Sequence, residues 1–156
     1  MFCNPTMLCT WSEDRRGSRA GGRRALVGFV DRPATRLHRL LRPGFRHCFA
    51  LIDDGSGWVL IDPLKNRIEI RRVDPPAGFD LAAFYLRRGH RVLEGRVGPG
   101  ASGASLVPDL STCVTVVKRA LGIVSGRVQT PHQLYRHLSV AHDPPFYAPK
   151  PQDEGC

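Results

Sequence analysis

Cys113, His47 and Asp62 are the residues whose types and spacing could do chemistry in this chain. A thiolate attacks a carbonyl carbon, an imidazole holds and returns the proton, and a carboxylate fixes the imidazole's tautomer. A Cys–His–Asp set is therefore the equipment of a cysteine hydrolase or acyltransferase. From Cys113 on, apolar residues fall at 113, 116, 117, 120 and 121, the stripe of a helix with one buried face. Ser111 or Thr112 stands where an N-cap belongs, and Gly122 where a left-handed C-cap belongs. A cysteine in the first turn of that helix meets unpaired N–H groups and the positive dipole end, both of which favour a thiolate. The stripe also admits a plainer reading, in which Cys113 is simply the first core residue of the helix face.

Two strands must bring a base and an orienting group to that cysteine. Phe45 to Ile52 is a strand by composition, Asp53-Asp54-Gly55-Ser56-Gly57 is a turn signal, and Trp58 to Asp62 is a second strand. His47 among apolar neighbours and Asp62 at the end of an apolar run are both out of place unless they serve a site. Their meeting depends on register. With a loop of Asp54 to Gly57, or a two-residue Gly55-Ser56 turn, residue 53 faces 58; Asp62 then lies opposite Phe49 and diagonal to His47 on the same face. A five-residue loop turns Asp62 to the other face. Cys48 alternates away from His47 and reads as core.

The rest of the chain supplies a frame for these pieces. Residues 1–24 read as a disordered basic extension, 25–140 as one folded domain, and 141–156 as a proline-rich strap and tail. Ala25 to Val30 is a buried first strand; Asp31 and Pro33 open a short helix with Leu37, Leu40 and Leu41 on its apolar face. Arg67 to Val73 alternates as a half-exposed strand, Leu81 to Arg88 is a short helix capped by Asp80 and stopped by Gly89, and His90 to Val97 has strand character. Residues 98–108 form the loop leading to the Cys113 helix. Thr130 and Pro131 open a last helix with Leu134 and Leu138 inward. The expected fold is α+β, an antiparallel sheet with short helices packed on it.

Composition narrows the classes. The chain has 156 residues, 42% of them hydrophobic, a share that fits one globular domain. No apolar run suits a membrane helix. Met1 to Gly22 carries charges and glycines in place of an apolar signal core, so no secretory signal is expected. The location expected is the cytoplasm or a virion or phage-like particle. Cys3, Cys9, Cys48, Cys113 and Cys156 are an odd number without paired spacing, which speaks against a disulfide framework or structural zinc. His38, His90, His132, His137 and His142 read as surface or capping residues. No metal and no cofactor are expected. Residues 1–46 hold ten arginines and three acids, a balance of +7 out of a net +9. Such a segment suits an anionic polymer or surface, yet no aromatic interleaving or nucleic-acid-binding motif accompanies it, and specific nucleic-acid binding is not expected.

Four runs together carry a resemblance: Phe45-Arg46-His47-Cys48-Phe49-Ala50-Leu51, Trp58-Val59-Leu60-Ile61-Asp62, Thr112-Cys113-Val114-Thr115-Val116-Val117 and Thr130-Pro131-His132-Gln133-Leu134. In order and character, across residues 25–138, they resemble the circularly permuted NlpC-type papain-like cysteine hydrolases and their lecithin-retinol-acyltransferase-like relatives. The resemblance implies a permuted papain-like fold, His47 as base, Cys113 as nucleophile, Asp62 as orienting group, and the Cys113 backbone N–H in the oxyanion hole. Arg46 stands where the family has a small residue; beside the site it would favour an anionic substrate or spoil the chemistry. Arg46 and Thr112 are read as substrate contacts. The implied activity is cleavage of an amide, with a cell-wall peptidoglycan peptide as the leading substrate. The alternatives are an acyltransferase or lipid hydrolase built on the same site, and an inactive component of a phage-like assembly.

Overall fold

A computed structural model describes residues 22–32, 40–97, 112–141 and 146–149. Among the described residues the fold is α+β, with five antiparallel strands and three short helices. The strands are β1 (Arg24–Val30), β2 (His47–Asp53), β3 (Trp58–Pro63), β4 (Ile68–Val73) and β5 (Arg91–Arg96), in the order β4-β3-β2-β1-β5. The helices are α1 (Leu81–Arg87), α2 (Cys113–Ala120) and α3 (Pro131–Arg136), and a π-helical turn, His137–Ala141, continues α3. The helix expected from Pro33 lies outside the described residues, as do His38, His142, the loop before Ser111, most of the basic extension, and the tail with Cys156.

β1 and β2 are buried along almost their whole length because helices cover both faces of the sheet. On one face α2, α3 and the turn after α3 contribute Val114, Val117, Leu121, Leu134 and Leu138, packed with Val27, Phe29, Cys48 and Ala50. On the other, Leu81 and Ala82 of α1 pack with Leu26, Phe49, Leu51, Leu60 and Val92. Two covered faces explain why residues 25–30 and 48–52 read as continuous apolar runs and not as alternating ones. The strand β4 has only one neighbour, and its alternating Ile-Glu-Ile-Arg pattern is largely exposed, as an edge requires.

The hairpin that sets the register of β2 on β3 is built from its own side chains. Asp54 N–H donates to the Gly57 carbonyl at 3.0 Å, the Asp54 carboxylate accepts from the Ser56 N–H at 2.9 Å, and Arg72 of β4 holds its other oxygen at 2.9 Å. Gly55 takes φ +91°, a conformation open chiefly to glycine. The loop is thus Asp54 to Gly57, and Asp53 faces Trp58.

At the far edge Phe146 and Tyr147 lie along β5. The Tyr147 and Glu94 backbones exchange two hydrogen bonds of 2.7 Å, and the Phe146 ring sits over Gly95, where a Cβ would collide with it. A similar fit occurs at Gly28 of β1, whose missing Cβ leaves room for the Phe49 ring. No helix among the described residues is long and apolar enough to cross a membrane.

Candidate active site

The α2 helix begins as its sequence dictates. Thr112 is the N-cap, with extended backbone and its Oγ1 accepting from the Thr115 N–H at 3.3 Å. At the other end Gly122 has φ +71° and closes the helix as a C′ glycine. The buried face, however, is Val114, Thr115, Val117, Lys118 and Leu121, one position on from the expected stripe. A one-residue step rotates a helix face by about 100°. Cys113 therefore lies at the margin of the core and keeps partial exposure. Lys118 tolerates burial because its ammonium donates to the Ser125 carbonyl at 2.8 Å while its stem packs against apolar neighbours.

His47 and Asp62 come from the sheet. His47 opens β2 and is 5% exposed. The ladder between β2 and β3 runs from Asp53–Trp58 to Ala50–Ile61. Continued by one step, it sets Asp62 opposite Phe49 and diagonal to His47. His47 Nε2 lies 2.6 Å from Asp62 Oδ1, a charge-assisted length. That contact leaves Nδ1 for Cys113, with which the ring also hydrogen-bonds. Past Ala50–Ile61 the backbone N–H of Cys48 donates to the Cys113 sulfur, so that sulfur is seated beyond the end of the ladder.

The electrostatics follow from these contacts. Cys113 is drawn down to about 4: the hydrogen bond from the Cys48 thiol acts most strongly, burial opposes it, and the His47 ring and the Cys48 N–H add to the lowering. His47 is raised to about 9. Burial is the largest influence and pulls it down, but hydrogen bonds to Asp62 and Cys113, with their charges, overcome it. Between about pH 4 and pH 9 the pair rests as thiolate and imidazolium. Cys48 is pushed the other way by burial and by the neighbouring Cys113, and so remains a thiol.

The residues expected to meet substrate are otherwise engaged. Arg46 donates from Nη1 to Asp31 at 2.8 Å, at the end of β1, while its Nε is buried without a partner. The Thr112 hydroxyl is occupied as the cap and lies 3.2 Å from Thr115 Oγ1. Cys48 is core, with 0% exposure, but it also touches the nucleophile. Strand alternation alone hides that contact; the one sequence signal for it is the adjacency of Cys48 to His47. His90 is half-buried: its backbone N–H donates to the Tyr85 carbonyl at 3.1 Å at the end of α1, and its ring stacks on Tyr85 at 5.5 Å and meets Phe49 edge-on. His132 packs edge-on against Phe45 at 5.1 Å with Arg42 Nη1 2.9 Å from its Nε2, and His137 is the C-cap of α3. Among the described residues no group of three His, Cys, Asp or Glu side chains could hold a metal ion. No protein-family model, curated protein or solved structure matches the chain.

Proposed function

We propose that the protein is a papain-like cysteine hydrolase of the permuted NlpC type that cleaves an amide bond. The observation that carries this reading is the continuous contact from Cys113 through His47 to Asp62 at the start of a helix. A resting thiolate needs no base to be activated. Its sulfur adds to the carbonyl carbon of the substrate, and the carbonyl oxygen takes the negative charge. The Cys113 backbone N–H, at the start of α2, contributes to the oxyanion hole. His47, held by Asp62, passes its proton to the departing amine as the C–N bond breaks. It then accepts a proton from the water that attacks the thioester, releasing acid and thiolate. Asp62 keeps the ring oriented and stabilises its charge without taking the proton.

The substrate is inferred to carry a negative charge. Arg42 and Arg91 gather about Phe45, two residues before His47: the Arg91 guanidinium lies 5.2 Å from the Phe45 ring centre, and Arg42 reaches His132 on the same ring. Peptides with free carboxylates, such as those of a cell-wall polymer, fit such a surface. Release to an acceptor amine or alcohol in place of water would make the same site an acyltransferase, so products decide between the two. An inactive component of a phage-like assembly would have no use for a thiolate paired with an oriented imidazole.

The test is turnover of a panel of carboxylate-bearing peptide amides, their amidated counterparts and acyl esters. Expected are hydrolysis of the acidic amides, a covalent acyl adduct mapped to Cys113, and loss of both in Cys113→Ala. Equal turnover by wild type and Cys113→Ala, or no adduct with any of the acyl donors, would refute the proposal.

A further inference from the structure

Among the described residues Cys48 is the one thiol at the site, beside Cys113, that the hydrolytic cycle leaves unused. Its thiol is fully buried, it is hydrogen-bonded to Cys113, and it lies on the sheet face that α2 covers. We propose that Cys48 is a resolving cysteine, and that a peroxide converts Cys48 and Cys113 into a reversible disulfide that masks the nucleophile and protects it from irreversible oxidation.

Access and contact argue for it together. Cys113 keeps partial exposure and Cys48 has none, so an external oxidant meets Cys113 first. The Cys113 thiolate attacks one peroxide oxygen, the O–O bond breaks, and His47 gives its proton to the departing hydroxide. The products are a sulfenic acid and water. Cys48 sulfur then attacks Cys113 sulfur, the S–O bond breaks, and the Cys48 proton leaves with the hydroxyl as a second water. Two thiols lose two electrons in all, and the peroxide gains them. Cys113 packs against the core cluster that holds Cys48 and the two side chains hydrogen-bond, so closure to a bond of about 2.05 Å asks for side-chain movement. Cys48 lies two residues beyond the last pair of the ladder with β3, Ala50–Ile61, and is held there by β1 alone, opposite Phe29. This proposal shares the Cys113 thiolate with the hydrolase reading and is independent of the substrate.

The experiment uses the full chain with Cys3, Cys9 and Cys156 replaced by serine, so that Cys48 and Cys113 are the remaining thiols. After an equivalent of hydrogen peroxide, the expected result is a mass lower by two hydrogens, a Cys48–Cys113 crosslinked peptide in the non-reduced map, and loss of Cys113 alkylation restored in full by dithiothreitol. In Cys48→Ser, and in Cys48→Ala should the serine variant fold poorly, two or more equivalents of peroxide are expected to add two oxygens to Cys113, a change that dithiothreitol does not reverse. Accumulation of sulfinic acid at Cys113 while Cys48 is present, with no crosslink, would overturn the proposal. Alkylation of Cys113 by iodoacetamide at pH 5 separates the two readings. If it proceeds and the crosslink is absent, the resolving role alone fails; if it is absent too, the thiolate reading fails with it.

Discussion

At the scale of single residues the account turns on who holds the proton. The 2.6 Å contact of His47 with Asp62 fixes the imidazole's tautomer and helps lift it to about 9 against the pull of burial. Asp62→Asn keeps the shape and removes the charge. The imidazole midpoint is then expected to fall from about 9 toward the ordinary value of about 6.5, read from ring resonances by NMR; an unchanged midpoint would show that Asp62 does not hold the ring. The sign is fixed: the charged ring is present below its midpoint, so losing Asp62 shortens the alkaline side of the thiolate–imidazolium window. That His47 and Asp62 serve a site was legible from two polar residues set in apolar runs; their pairing was not, because the turn sequence allows loops of different length that place Asp62 on either face. Nor was the part played by Cys48. Alternation predicts burial for it, but burial says nothing of the ladder ending at Ala50–Ile61 and leaving its N–H and thiol to the nucleophile.

At the scale of elements, the start of α2 positions the sulfur. Thr112→Ala removes the cap, which costs about 1 kcal/mol and should lower the melting temperature by about 2–4 °C; it should also slow Cys113 alkylation, since a frayed first turn no longer holds the thiolate. A variant with unaltered melting and reactivity would contradict the cap's role. On the sheet, Gly28→Val drives a branched side chain into the Phe49 ring and should cost about 1–3 kcal/mol, measured by denaturant titration. The caps at Asp80 and Thr130 and the stop at Gly122 follow local rules, and the starts of α1 and α3 were legible from them, that of α2 to within Ser111 or Thr112. The facing of α2 was not: Thr115 and Lys118 take core positions that a count of apolar residues assigns elsewhere, because a hydroxyl pair and an ammonium–carbonyl bond satisfy them in the interior.

For the whole molecule, the chain closes over the sheet from both sides. α1 crosses beneath the strands between β4 and β5, carrying the chain from one edge of the sheet to the other. Phe146 then fastens the segment beyond the π-helical turn against Gly95. Apolar runs state that β1 and β2 are buried, but not which helix covers which face; that depends on contacts far apart in sequence. Phe146→Ala leaves a cavity in the core shared by α2 and α3 and should cost about 3–5 kcal/mol. A loss within a few tenths of a kcal/mol in denaturant titration would mean that the segment does not fasten the fold.

The central claim is a Cys113 thiolate held by the Cys48 hydrogen bond and by the His47 ring, and the pH dependence of Cys113 alkylation, assigned by peptide mapping, tests it most directly. The account predicts reactivity that rises through about pH 4 and holds at neutral pH. In His47→Ala the midpoint should move up toward the ordinary thiol value of about 8.5. Cys113 that stays inert until the protein unfolds, or a midpoint unmoved by His47→Ala, would contradict it.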